Sequence, residues 1–170
     1  MPNTASGNNG PSTAHCSSER SPLPTPRSSR HARGETRTPV LKHALDALAV
    51  AGVRQTVVTG NVRPVAEIKL GVFGLDTHIE WDAGAYGEDA DLRPALVDFA
   101  LTRSSTAAGD AVLIGDTPAD VEGGRENGVH VIAVATGRSS ATELLGAGAH
   151  HVLDDLSDIE RLLTLIASRA

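Results

Sequence analysis

The chain holds one cysteine, Cys16, among 170 residues. That scarcity excludes an internal disulfide and a thiolate zinc cluster, and it is compatible with a reducing, cytoplasmic compartment. No apolar run approaches the roughly 18 to 20 residues that a membrane-spanning helix needs, so no membrane partner is expected. The opening residues also lack the apolar core of a secretory signal. A net charge of −6 leaves no basic excess to neutralise phosphates, which argues against a nucleic-acid partner. No G-x-G-x-x-G turn follows any apolar segment, and this sets aside a dinucleotide-binding domain.

What is present divides near residue 38. Residues 1–38 contain seven Ser, five Pro and five Arg, with a single Leu and no Val, Ile, Phe, Tyr or Trp. They carry +3, leaving −9 for residues 39–170. Such a composition cannot offset its ordering entropy, so a disordered Ser/Pro/Arg-rich tail is expected over 1–38. A transit peptide shares the Arg- and Ser-rich, acid-poor composition. Thirteen Arg against two Lys in an Ala- and Gly-rich chain leave a third reading open, a segment translated out of its natural frame.

Residues 39–170 read as one core domain of alternating helices and strands. Pro39 suits a helical first turn, and Leu41, Leu45, Leu48 and Ala49 recur at helical spacing up to Gly52. A short buried strand is expected at 56–59, a helix at 62–72, a weak strand at 77–81 and a helix at 93–103. Strands at 111–114 and 129–134 flank a helix at 118–127. Ser140 and Glu143 form a capping box for the next helix, and a last strand and helix cover 152–153 and 156–166. Continuous apolar strands separated by helices imply a mostly parallel sheet covered on both faces. Ligands of such sheets sit beyond the carboxyl ends of the strands, here 59–61, 115–120 and 136–139.

The segment VLIGDTPADVEGGRENGVHVIAVATG, 112–137, places Asp116 and Asp120 where an apolar strand passes into a helix. VVTGN, 57–61, puts Thr59 at the end of another strand, and Arg93 with Pro94 opens a helix. These three motifs and the stretch AGAHHVLDDL, 147–156, resemble the haloacid dehalogenase-like (HAD) hydrolases, in particular their phosphoglycolate-phosphatase-like branch, over about 39–166. The resemblance implies an α/β, Rossmannoid three-layer sandwich. It also implies a phosphate site made of Thr59, Gly60, Asn61 and Arg93, and Mg²⁺ held by Asp116 and Asp120. Thr59, Arg93, Asp116 and Asp120 would then be the catalytic set, and a small phosphorylated metabolite the partner. Physical chemistry accommodates those roles, because phosphoryl transfer gathers negative charge that hydroxyl and amide donors, a guanidinium and a hard divalent ion offset.

One part of that pattern is absent. The resemblance implies an apolar strand ending in D-x-D-G-T that supplies an aspartate nucleophile and a general acid/base, followed by a helical cap. This chain has neither, so a truncated, incomplete core is expected, inactive or weakly active and marginally folded alone. A non-catalytic relic binding Mg²⁺ and anions is the alternative. Asp89-Ala90-Asp91 has the D-x-D spacing, but no apolar strand precedes it and it is rejected as the nucleophile. Simpler readings stand beside the others. Asp116 to Asp120 could be a helix cap with Pro118 in the first turn, Asn61 could cap the helix after Thr59, and Lys69 reads as a solvated helix face. His150 and His151 read as a strand edge rather than a metal pair, since neighbours on a strand face opposite ways.

Overall fold

The computed structural model describes residues 29–168. Six helices are α1 Ser29–Val50, α2 Arg63–Val72, α3 Arg93–Ser104, α4 Pro118–Glu126, α5 Ala141–Gly146 and α6 Ile159–Ala167. Three strands, β1 Val112–Gly115, β2 His130–Val134 and β3 His151–Leu153, form one parallel sheet in the order β1-β2-β3. Val112 pairs with His130, and Ile132 with His151. The architecture is the expected α/β sandwich.

Burial explains the layering. All five residues of β2 are buried, because the strand is covered on both faces and paired on both edges. Ile132 and Val134 point to one side, where Ala44 and Leu48 of α1 and Leu162 of α6 close over them. Val131 and Ala133 point to the other, against Val121 of α4 and Leu144 of α5. A smaller cluster of Ala85, Leu96 and Ala100 lies beneath α3.

Several expectations need correction. Helix α1 begins at Ser29, so the boundary drawn at 38 falls inside a helix and Pro39 is an interior residue rather than its first turn. The remainder of the expected tail, 1–28, lies outside the described residues. No regular strand forms at 56–59 or 77–81. Instead two isolated parallel bridges join Gln55 to Ile79 and Val58 to Ala85, and Trp81–Ala83 is a single 3₁₀ turn. The Ser140–Glu143 capping box is present as read.

His150 and His151 do not diverge. Strand β3 starts only at His151, which frees His150 to turn, and both rings lie against His130, at centroid distances of 4.2 and 5.2 Å. His130 is buried, and neither of its ring nitrogens has a partner among the described residues. No group of three or more His, Cys, Asp or Glu placed to hold a metal occurs among the described residues.

The rejected D-x-D has a structural use. Asp89 accepts two 2.7 Å bonds from the Arg103 guanidinium and one of 2.8 Å from the Tyr86 amide, closing the loop ahead of α3. Arg103, then the Tyr86 amide, hold the Asp89 carboxyl below its ordinary range. A lowered carboxyl stabilises the fold above its unfolded value, near pH 4, and this contribution vanishes as pH falls through the folded value. Arg103→Met should therefore cost about 1 kcal/mol at pH 7. Arg103 also donates to the Gly84 carbonyl at 2.6 Å at any pH, so in urea titrations the gap from the parent chain should narrow near pH 2 without closing.

Candidate functional site

The carboxyl ends of β1 and β2 and the end of the 55–59 segment bring the implied residues together. Asp116 follows β1 directly. Its carboxylate is exposed, makes no hydrogen bond among the described residues, and rests against Gly137 in the loop after β2. Gly137 has no room for a Cβ, since the carboxylate occupies that position. The loop 136–139 was expected near the chemistry, but Gly137 as the backing for Asp116 was not.

Gly137→Ala tests that backing. The colliding atoms belong to the tip of a flexible side chain, so Asp116 should swing aside while the fold stays within about 0.5 kcal/mol of the parent. Mg²⁺ affinity, read by calorimetry, should fall severalfold with little change in melting temperature.

Asp120 is occupied. Its Oδ2 accepts from the Thr117 hydroxyl at 2.7 Å and the Thr117 amide at 3.2 Å, while Thr117 Oγ1 accepts from the Asp120 amide. Its Oδ1 lies 3.0 Å from Arg93 Nε. The helix-cap reading of this corner is thus correct for Thr117 and Asp120 and leaves Asp116 out. With both oxygens engaged, Asp120 orients Arg93 and the start of α4, and Asp116 is the carboxylate open to a cation.

Arg93 joins the two halves of the site. Besides Asp120, it donates from Nη1 to the Val58 carbonyl at 3.0 Å, one residue before Thr59. The side chain is about a quarter exposed, and three of its five N–H groups remain to donate. Two residues outside the expected set hold it there. Gly123 on α4 lies where a Cβ would come within 2.7 Å of Arg93 Cγ, and Asn127 donates to the Pro94 carbonyl at 2.9 Å and the Gly123 carbonyl at 2.8 Å. The adjacent Gly124 packs on Leu113 and Val131 of the sheet. Consecutive glycines inside a helix cost roughly 1 kcal/mol each against Ala, and the Gly-Gly pair was the sequence signal for this close approach.

Thr59 Oγ1 accepts from the Asn61 amide at 3.2 Å and from Asn61 Nδ2 at 2.9 Å, so its own hydroxyl hydrogen stays available to a ligand. Asn61 therefore braces Thr59 and does not cap α2, whose N-cap residue is Val62. Lys69, read as a solvated face, donates to Asn61 Oδ1 at 2.8 Å and brings a second cation to the loop. Gly60 is exposed, with open space around its Cα. The Arg63 amide at the head of α2 is already taken by the Glu88 carboxylate, at 3.0 and 3.1 Å.

Comparison with known proteins agrees with the α/β fold. Residues 90–159 match the family model described as HAD-hydrolase-like. Tyrosine-protein kinase PtkA of Mycobacterium tuberculosis is 33% identical over 97 residues, covering 55% of this chain and 33% of that protein. A haloacid dehalogenase-like family hydrolase of Streptococcus pneumoniae superposes with a TM-score of 0.65 at 18% identity, over 71% of this chain and 57% of that one. A HAD family hydrolase of Deinococcus radiodurans with bound phosphate and sodium gives 0.61 at 23% identity, over 74% and 58%. The chain spans about a third of the curated relative's length and somewhat over half of each of these two structures. With its motifs at the carboxyl ends of a parallel sheet, this chain resembles the haloacid dehalogenase-like hydrolases and carries part of their fold.

Proposed function

We propose that this chain carries the phosphate- and Mg²⁺-binding half of a HAD-type phosphatase site. On this reading, the 170 residues alone are inactive or weakly active in phosphate monoester hydrolysis. The observation that carries the reading is Arg93, bonded at once to Val58, beside Thr59, and to Asp120, beside the open carboxylate of Asp116. A phosphoryl group at this point would receive the Thr59 hydroxyl, the Gly60 amide and the unused N–H groups of Arg93. Those donors match its equatorial oxygens.

Asp116 offers one hard, unpaired carboxylate, which suits Mg²⁺ because that ion takes one or two carboxylates together with substrate phosphate and water. When bound, the ion would supply neutralisation of the phosphate charge. Thr59, Arg93 and Asp116 grip and orient; no side chain among them is placed as a nucleophile, so no bond-breaking step is assigned to this chain. The names of the relatives support phosphoryl chemistry, since a hydrolase with bound phosphate and a tyrosine kinase both handle phosphoryl groups. A small phosphorylated metabolite is the substrate class that follows.

The test is hydrolysis of p-nitrophenyl phosphate with and without Mg²⁺. The parent chain and Asp116→Ala should both stay at or near the blank, while Mg²⁺ binding by calorimetry is present in the parent and at least about tenfold weaker in the variant. Robust Mg²⁺-dependent turnover that disappears in Asp116→Ala would show a complete enzyme and refute the half-site reading.

A further inference from the structure

Lys69 is exposed, yet its ammonium is held by an amide and not by a carboxylate. It donates to Asn61 Oδ1 at 2.8 Å and makes no ion pair among the described residues. The acidic side chain nearest in sequence, Glu67, is committed to Arg63 at 2.8 Å. Helical side chains lean toward the helix N-terminus, which aims Lys69 back at the loop preceding α2. In that loop Asn61 is fixed on every side. Its amide N–H and its Nδ2 both donate to Thr59 Oγ1, at 3.2 and 2.9 Å, and its carbonyl accepts from the Gly87 amide at 3.0 Å. Gly87 itself packs so closely that the Gly60 carbonyl fills the place of a Cβ.

An asparagine side chain can turn either its oxygen or its NH₂ group toward a neighbour, and the two choices give Thr59 opposite roles. With Nδ2 toward Thr59, both lone pairs of the hydroxyl oxygen are filled, and its hydrogen is left to point at an outside acceptor. With Oδ1 toward Thr59, that hydrogen is spent on Asn61 and a ligand loses it. An ammonium has three donors and no acceptor, so it bonds the Asn61 amide only through Oδ1. We propose that Lys69 is a positioning residue: by holding Oδ1 it turns the Asn61 NH₂ group onto Thr59 and so directs the Thr59 hydroxyl hydrogen at the ligand. The ligand oxygen met there must accept and not donate, which a phosphate monoester dianion offers at each terminal oxygen. The choice of ligand rests on the half-site reading; the orientation of Asn61 does not.

The experiment titrates inorganic phosphate with Mg²⁺ into the full chain, followed by backbone amide resonances, which resolve weak affinities. Lys69→Met should weaken phosphate binding about fivefold, the size of one lost hydrogen bond. Lys69→Arg, which also offers donors alone, should restore most of that loss. Once Thr59→Val has removed the hydroxyl, adding Lys69→Met should cost almost nothing further, because Lys69 acts through Thr59. An equal loss in both backgrounds overturns the proposal, since the ammonium then acts on the anion directly. A second readout needs no ligand. Nuclear Overhauser contacts between the Asn61 NH₂ hydrogens and the Thr59 methyl should be strong in the parent and severalfold weaker in Lys69→Met. Contacts that persist unchanged in Lys69→Met, or are absent from the parent, overturn the proposal. If these contacts behave as expected while the parent binds no phosphate, the half-site reading fails and the orienting role of Lys69 stands.

Discussion

Arg93→Ala is expected to weaken phosphate binding by at least about tenfold and to destabilise the fold by about 2 to 3 kcal/mol. The first effect follows from loss of charge-assisted donors, which are each worth more than neutral ones. The second follows from what remains. Asp120 Oδ1 loses its cation in a side chain only 14% exposed, and the Val58 carbonyl loses the one donor it has among the described residues. Leaving such groups unpaired costs more than the pair itself contributes. Arg93→Lys separates the two effects. A Lys ammonium restores charge toward phosphate but cannot reach both Asp120 and Val58 as a planar fork. Partial recovery of phosphate affinity with little recovery of stability is the expected outcome, measured by calorimetry and urea unfolding.

Ile132→Ala should abolish cooperative unfolding at room temperature. Ile132 is fully buried at the centre of the larger cluster, and truncations of this kind cost about 3 to 4 kcal/mol in lost burial and cavity formation. A complete domain of 5 to 15 kcal/mol would survive that loss. A three-stranded sheet with both edge strands paired on one side only, beside a 55–59 segment joined by isolated bridges, starts near the bottom of that range. Leu145→Ala is the control: Leu145 is 56% exposed and should change stability by less than about 0.5 kcal/mol. A cooperative transition well above room temperature in Ile132→Ala would show that the partial fold is more stable than its open edge implies.

The parts of this fold that are local in sequence were legible in it. The runs around Leu113 and Ile132 are apolar on nearly every residue, His130 excepted, because both faces of the sheet are covered, and Ser140 and Glu143 sit three apart because each bonds the other's amide. Residues 29–38 were misread because Arg, Ser and Thr carry no apolar period, so a helix formed there leaves no periodic trace. The 55–59 segment has the composition of a strand, but whether it forms a ladder depends on neighbours that sequence does not place. The same limit applied to the site. Thr59, Arg93 and Asp116 are visible as motifs, whereas Asn127 holding α3 to α4 and Gly137 backing Asp116 are contacts between segments far apart in the chain, and Lys69 reaches Asn61 eight residues back, from α2 onto the preceding loop. Asp120 was legible as a carboxylate in the right place, yet only the structure shows its oxygens committed to Thr117 and Arg93.

Titration of inorganic phosphate into the folded chain, with and without Mg²⁺, tests the half-site most directly. Weak binding is predicted, on the order of millimolar Kd, about 4 kcal/mol. It should require Mg²⁺ and disappear in both Asp116→Ala and Arg93→Ala. Phosphate that binds equally well without Mg²⁺ and in both variants, or does not bind to the folded parent at all, would contradict the account.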